Sequence, residues 1–239
     1  MPRSWKCCSG AARARAACSR AGGLRVYSAG LDTILFPHAG FRVLLSDQEL
    51  ALARGLDAPE KVQAFLSSGV AYNFEPEGAT AYGPVEVLRR RTAHCFEGAI
   101  FAAALLWFHG WEPLLVLLEA PRDFDHNLIV YRRDGRWGSV SQSRHEELRG
   151  KPASFASLRE LVLSYRPDYF SDWTHDRNDL TLRGFSPPID LRGFGPGWVT
   201  SPGAWHLYFR LLDGVRLEKL FFTGPEDRWY DYPPESLYD

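Results

Sequence analysis

The longest apolar block of this chain is CFEGAIFAAALLWFHG, which is apolar at every position from Gly98 to Phe108 before His109 and Gly110 close it. A helix that is apolar on all sides belongs in the centre of a core. It also falls short of the about 20 residues that a bilayer crossing requires. Two amphipathic helical patterns come earlier, one over Ser46–Arg54 and one that begins near Asp57, with Pro59 in the first turn, where a missing N–H costs nothing. Pro84 opens a shorter helix over Val85–Arg90. Downstream, Leu114–Leu118 reads as a buried strand and HNLIVYR, His126–Arg132, as a second. Asp134-Gly135 then turns the chain, and Trp137–Ser141 returns antiparallel as the other arm of a hairpin. A helix with a Ser157…Glu160 capping box follows, then a Pro/Gly-rich stretch from Gly184 to Gly197. Ser201 and Pro202 start a last helix, with Trp205, Tyr208, Phe209 and Leu212 as its apolar face, before a final strand over Arg216–Phe222.

The 239 residues are 45% hydrophobic and 24% charged, which suits a folded chain with a substantial core and excludes a collagen-like or mostly disordered one. No internal repeat or long linker follows residue 40, so the expected organisation is a basic, disordered leader over 1–40 and one domain over 41–239. Residues 1–31 hold six basic side chains and no acid, leaving 22 basic against 29 acidic in the remainder. An acidic body argues against a nucleic-acid partner, whose phosphates demand clustered Lys and Arg. The triplet Arg89-Arg90-Arg91 reads as a solvated helix end.

The leader has no apolar stretch of secretory-signal type, and its Ala, Arg and Ser content is compatible with a transit peptide; a plain extension on a cytoplasmic protein is the expectation. Cys7, Cys8 and Cys18 fall in the leader and Cys95 alone in the body, so no disulfide framework is expected there. With no HExxH, no CxxC and no phosphate-binding glycine loop, neither a metal nor a nucleotide cofactor is expected. No membrane partner is expected either.

Cys95 stands at the mouth of the buried helix, where the positive end of the helix dipole favours a thiolate. The same amides suit an oxyanion, so a nucleophile and part of its transition-state stabilisation coincide. A small buried hydrophobe is the alternative for this cysteine. His126 opens a strand after one intervening strand has had room to return the chain to the helix, which makes a thiolate–imidazole pair topologically feasible. The alternative for His126 is a structural bond to Asp123 or Asp125. A two-residue turn at Asp134-Gly135 sets Ser143 opposite His126 and Ser141 opposite Leu128, with Gln142 on the other face. The face that should orient the imidazole therefore offers hydroxyls and no carboxylate, a gap that weakens the case for strong activity.

HCFEGAIFAAALLWFHG followed by DHNLIVYRRDGRWGSVSQS resembles the transglutaminase-like superfamily. The wider stretch NFEPEGATAYGPVEVLRRRTAHCFEGA, with SLRELVLSY, is similar to an uncharacterised, mainly bacterial group within it, over roughly Asn73 to Leu191. The resemblance implies an α+β fold of papain-like ancestry, a central buried helix packed on an antiparallel sheet. It also implies Cys95 as nucleophile, His126 as base and Ser141 in the place of the acid. The CFE tripeptide is also similar to that of arylamine N-acetyltransferases. Among the remaining residues, Tyr82 or Asn73 is a candidate oxyanion donor and His145 a candidate at the edge of the site. Glu97 is expected to satisfy helix-start amides, and His94 to point away from the sulfur. The expected function is a cysteine hydrolase or acyltransferase that forms a thioester at Cys95, acting on a peptide, protein or small amide or on an ester. The alternative is a non-catalytic binding or scaffold relative that has lost the acid.

Overall fold

A computed structural model describes residues 39–120, 123–212 and 214–220 of the chain. Nearly all of the basic leader, with Cys7, Cys8 and Cys18, lies outside these residues, as does the end of the strand expected over Arg216–Phe222. Helices α1 (Asp47–Gly55) and α2 (Pro59–Gly69) lead into a two-residue strand, β1 (Ala71–Tyr72). Helix α3 (Pro84–Arg90) and strand β2 (Thr92–Ala93) then deliver the chain to α4 (Cys95–Phe108). After α4 come the principal strands β3 (Leu114–Glu119), β4 (His126–Arg133) and β5 (Arg136–Val140). The rest comprises α5 (Leu158–Leu163), β6 (Gly184–Phe185), β7 (Ile189–Asp190), α6 (Gly197–Thr200), α7 (Trp205–Leu212) and β8 (Glu218–Lys219).

The main sheet is antiparallel, in the order β5-β4-β3-β6-β8, with β7 also paired to β3. Every residue of α4 is buried, as the apolar block predicts. Leu115, Leu117, Ile129, Tyr131 and Val140 join its core from one face of the sheet. Val116, Leu118, Leu128 and Val130 turn to the other face, under Leu148, Leu161, Val162 and Tyr165. Both faces of the central strands are thus covered, which is why HNLIVYR carries an apolar run instead of alternating. The architecture is α+β.

The hairpin forms as its turn residues dictate. Asp134 and Gly135 both have positive φ, 50° and 76°, as a two-residue primed turn requires. The ladder runs from Arg133 opposite Arg136 to Ile129 opposite Val140, the register expected from the turn. It ends one residue short of Ser141, whose N–H and C=O face the outer edge of the sheet and meet the Gln63 side chain of α2. Gln63 Oε1 accepts from Ser141 N at 2.9 Å, and its Nε2 donates to Ser141 O at 3.1 Å. The parallel pair β1·β2 brings Asn73 beside the start of α4, with Asn73 N donating to Ala93 O at 3.1 Å.

One expectation changes in detail. On α7, Leu207 and Leu211 are buried and Tyr208 packs on Phe96 as expected, whereas Trp205 and Phe209 are 36% and 51% exposed and stack on one another; the Leu212 side chain lies outside the described residues. The Pro/Gly-rich stretch holds β6 and β7 and ends where α6 begins. The arginine triplet closes α3 as expected, with Arg89 on Glu49, Arg90 on Glu86 and Arg91 over the Phe65 ring. Among the described residues, no helix is long and apolar enough to cross a membrane.

Gly98 sets the approach of α4 to the end of the hairpin. A Cβ on Gly98 would lie 2.5 Å from Gln142 Cβ, closer than two carbon atoms can come. Gln142 is itself pinned, donating to Leu66 O at 3.1 Å and Val70 O at 2.8 Å. Gly98→Ala is therefore expected to destabilise the fold by about 1–3 kcal/mol through overpacking. A thermal melt of the variant that matches the native chain would refute this contact.

Candidate active site

His94 caps the N-terminus of α4, and its ring folds back over the helix start instead of pointing away from the sulfur. Its Nδ1 accepts from Phe96 N at 3.3 Å, and its Nε2 lies 3.2 Å from Thr80 O, to which it donates. Glu97 completes the capping box by accepting from His94 N at 3.0 Å. Its carboxylate also accepts from Asn73 Nδ2 at 3.1 Å, Thr80 Oγ1 at 2.7 Å and Tyr82 N at 2.8 Å. Asn73 and Tyr82, read from sequence as oxyanion donors, are thus placed as braces for Glu97, and neither lines the pocket described below.

Cys95 is 4% exposed in the first position of the helix. Asn127 Nδ2 donates to its Sγ at 3.5 Å, and the Asp125 carbonyl oxygen lies 3.8 Å from the sulfur. Asn127 and His126 leave β4 on opposite faces, Asn127 toward α4 with Ile129 and Tyr131, His126 on the side of Leu128 and Val130. The side-chain oxygen of Asn127, Oδ1, is buried with no partner among the described residues, an arrangement that costs about 1–3 kcal/mol.

His126 bonds neither Asp123 nor Asp125. Its Nε2 donates to the backbone carbonyl of Leu148 at 2.8 Å, the carbonyl oxygen being an acceptor only. Ser141 Oγ donates to the same oxygen at 3.0 Å. The position where a carboxylate was expected holds Ser141, and a main-chain oxygen presented by the 3₁₀ turn Glu146–Leu148 meets the imidazole instead. This acceptor fixes the Nε2–H tautomer and leaves the lone pair of a neutral imidazole on Nδ1.

Cys95, His126 and His145 line one small, partly open pocket of about 30 Å³. Aromatic walls come from Tyr72, Phe124, Tyr169 and Phe170. At the rim, Asp172 pairs with Arg144 and accepts from His145 Nε2 at 2.9 Å. Ser141 stands behind His126 and does not line the pocket. The sequence reading passed over Asn127, Asp172 and the Leu148 carbonyl. Only Asn127 left a trace in the sequence, as the one polar residue inside an apolar strand.

Burial dominates the electrostatics. It pushes the Asp125 carboxyl up to about 8 and, with Asp172 nearby, Asp123 up to about 7. Burial also raises Glu75, whose Oε2 has no partner among the described residues. Asp172 moves the other way, because His145 and Arg144 more than offset its burial. For His94, burial lowers the pKa while the Cys95 sulfur and the Glu97 and Glu75 carboxyls raise it to about 9; a proton on Nδ1 would displace the Phe96 N–H, so the capped ring is the neutral one. His94 is unsuited to act as a base in either form: the cation has no lone pair, and the neutral ring commits both nitrogens to Phe96 and Thr80.

These shifts fix the sign of the pH dependence. Asp123 and Asp125 both bind protons more tightly in the folded chain, so their contribution is full at acidic pH and is lost as pH rises through about 7 and 8. Asp172 acts oppositely, its contribution being lost as pH falls through the carboxylate range. The melting temperature is therefore expected to decline from mildly acidic to alkaline pH, and Asp125→Asn to flatten part of that decline. Calorimetry across this range checks it, and a curve equally steep in the variant would count against a neutral Asp125. No protein-family model matches this chain, and no curated protein sequence matches it.

Proposed function

We propose that the protein is a transglutaminase-like cysteine hydrolase or acyltransferase, with a papain-like placement of its nucleophile at the start of the central helix. The observation that carries this reading is the Leu148 carbonyl on His126 Nε2, which leaves Nδ1 as the proton acceptor in a pocket shared with Cys95. In the proposed reaction Nδ1 takes the thiol proton and the thiolate attacks an amide or ester carbonyl carbon. The imidazolium protonates the departing amine or alcohol, and a thioester remains on Cys95. Water, deprotonated by the same nitrogen, attacks the thioester and releases the acid. An amine in place of water would give a transferred acyl group, but nothing in the pocket selects for one. Ser141 serves the base indirectly, by sharing the carbonyl that orients it. A reducing cytoplasm suits the reaction, because the nucleophile must stay a thiol.

The deep burial of Cys95 favours a second reading, a non-catalytic relative that keeps the fold for binding. One experiment separates the two. Activation predicts that iodoacetamide modifies Cys95 well below its ordinary pH of about 8.5, with His126→Ala slowing the reaction at least about 10-fold at neutral pH. Cys7, Cys8 and Cys18 require that labelling be read on the Cys95 peptide by mass spectrometry. Ser141→Ala is expected to slow labelling less than His126→Ala, since Leu148 O keeps its bond to the imidazole. A Cys95 that reacts no faster than a free thiol, or is indifferent to His126→Ala, selects the binding module.

A further inference from the structure

The sulfur of Cys95 has polar company that the proposed chemistry does not use. Asn127 reaches it from the sheet face that packs on α4, its Nδ2 being 3.5 Å away, and the residue is fully buried and outside the pocket. Position alone therefore bars Asn127 from touching a substrate. Its side-chain amide is also oddly spent, with the nitrogen on a sulfur, a poor acceptor when protonated, while the oxygen has no partner among the described residues. An apolar residue of similar size would fill the same space without an orphaned oxygen, so packing does not account for an amide here. A thiolate does, because a charged acceptor strengthens an N–H bond, and the amide then points its positive end at the charge.

We propose that Asn127 is a positioning residue for Cys95, donating from behind the sulfur to hold it as a thiolate while His126 handles protons on the pocket side. This deepens the reading of Cys95 as a nucleophile and rests on it. Other groups bear on the same sulfur. His94 lies on the helix cap, Glu75 on the segment after β1, and Asp125 and His126 at the start of β4, while Tyr169 approaches from the segment after α5. Of these, Glu75 and Asp125 disfavour a negative sulfur when ionised, and the Asp125 carbonyl favours the protonated thiol as an acceptor. The Asn127 amide opposes them with a fixed donor that does not titrate.

The test is a titration of the Cys95 thiolate by its ultraviolet absorbance in the full-length chain, with Cys95→Ser as the blank for the other cysteines and the tyrosines. This readout needs no reagent to reach the buried sulfur. Asn127→Leu is expected to raise the midpoint by about one pH unit, equal to a 10-fold loss of thiolate at a pH below it. Asn127→Asp, nearly identical in shape, is expected to raise it further by setting a carboxyl against the sulfur. Unchanged midpoints in both variants overturn the proposal, including the case in which Asn127→Leu lowers the melting temperature and does nothing else, the mark of a structural role. If His126→Ala shifts the midpoint and the Asn127 variants do not, the nucleophile reading survives and this proposal falls. If the Asn127 variants shift it and His126→Ala leaves both the midpoint and the labelling rate unchanged, the amide has its assigned effect and the catalytic reading is the one that fails.

Discussion

Helix α4 is buried along its whole length, so side chains must satisfy the amides at its start, which water would serve in a surface helix. Two residues of the helix mouth meet that demand, His94 and Glu97, and their needs propagate outward. A buried carboxylate is tolerated only when its oxygens are saturated with donors. Asn73, Thr80 and the Tyr82 amide supply them, and this is what draws the segment between β1 and α3 against the helix. Cys95 inherits its position from that arrangement, because the residues on either side of it, His94 and Phe96, are joined to each other through the cap.

The sheet fixes the other half of the site. Strand β4 is held between β3 and β5, and its first residues are clamped at the level of the helix mouth, with Asn127 facing α4 and His126 facing the turn that carries Leu148. A carboxylate in the Ser141 position would stabilise an imidazolium by its charge as well as orient it; a carbonyl oxygen orients the ring and contributes only a dipole. The arrangement thus retains tautomer control and gives up most of the electrostatic assistance.

Much of the fold was legible because it rests on local chemistry. The uninterrupted apolar run from Gly98 to Phe108 admits only a buried helix, and Asp134-Gly135 admits only a tight turn, which sets the register of the hairpin. The association of Cys95 with His126 in one pocket follows from those two features. What stayed hidden depends on long-range packing or on the main chain. Every residue has a carbonyl, so nothing in the sequence singles out that of Leu148. Asn73 and Tyr82 were read as donors toward a substrate because their partner, Glu97, was assigned to its own helix terminus alone. Its capping role holds, and the same carboxylate reaches two further segments as well. On α7, Tyr208 takes its expected place against Phe96 while Trp205 and Phe209 face outward, a division that helical spacing alone does not reveal.

The acceptor on His126 belongs to the peptide backbone, and that changes what can disable the imidazole. No codon change at Leu148 deletes a carbonyl, so the ring's orientation is insulated from point mutation at the residue that secures it. The vulnerability passes to the short turn over Glu146–Leu148: an insertion or deletion there would swing the oxygen away and release the ring. Among relatives of this chain, the length of that turn would then be a better marker of a fixed ring at His126 than the identity of any side chain within it.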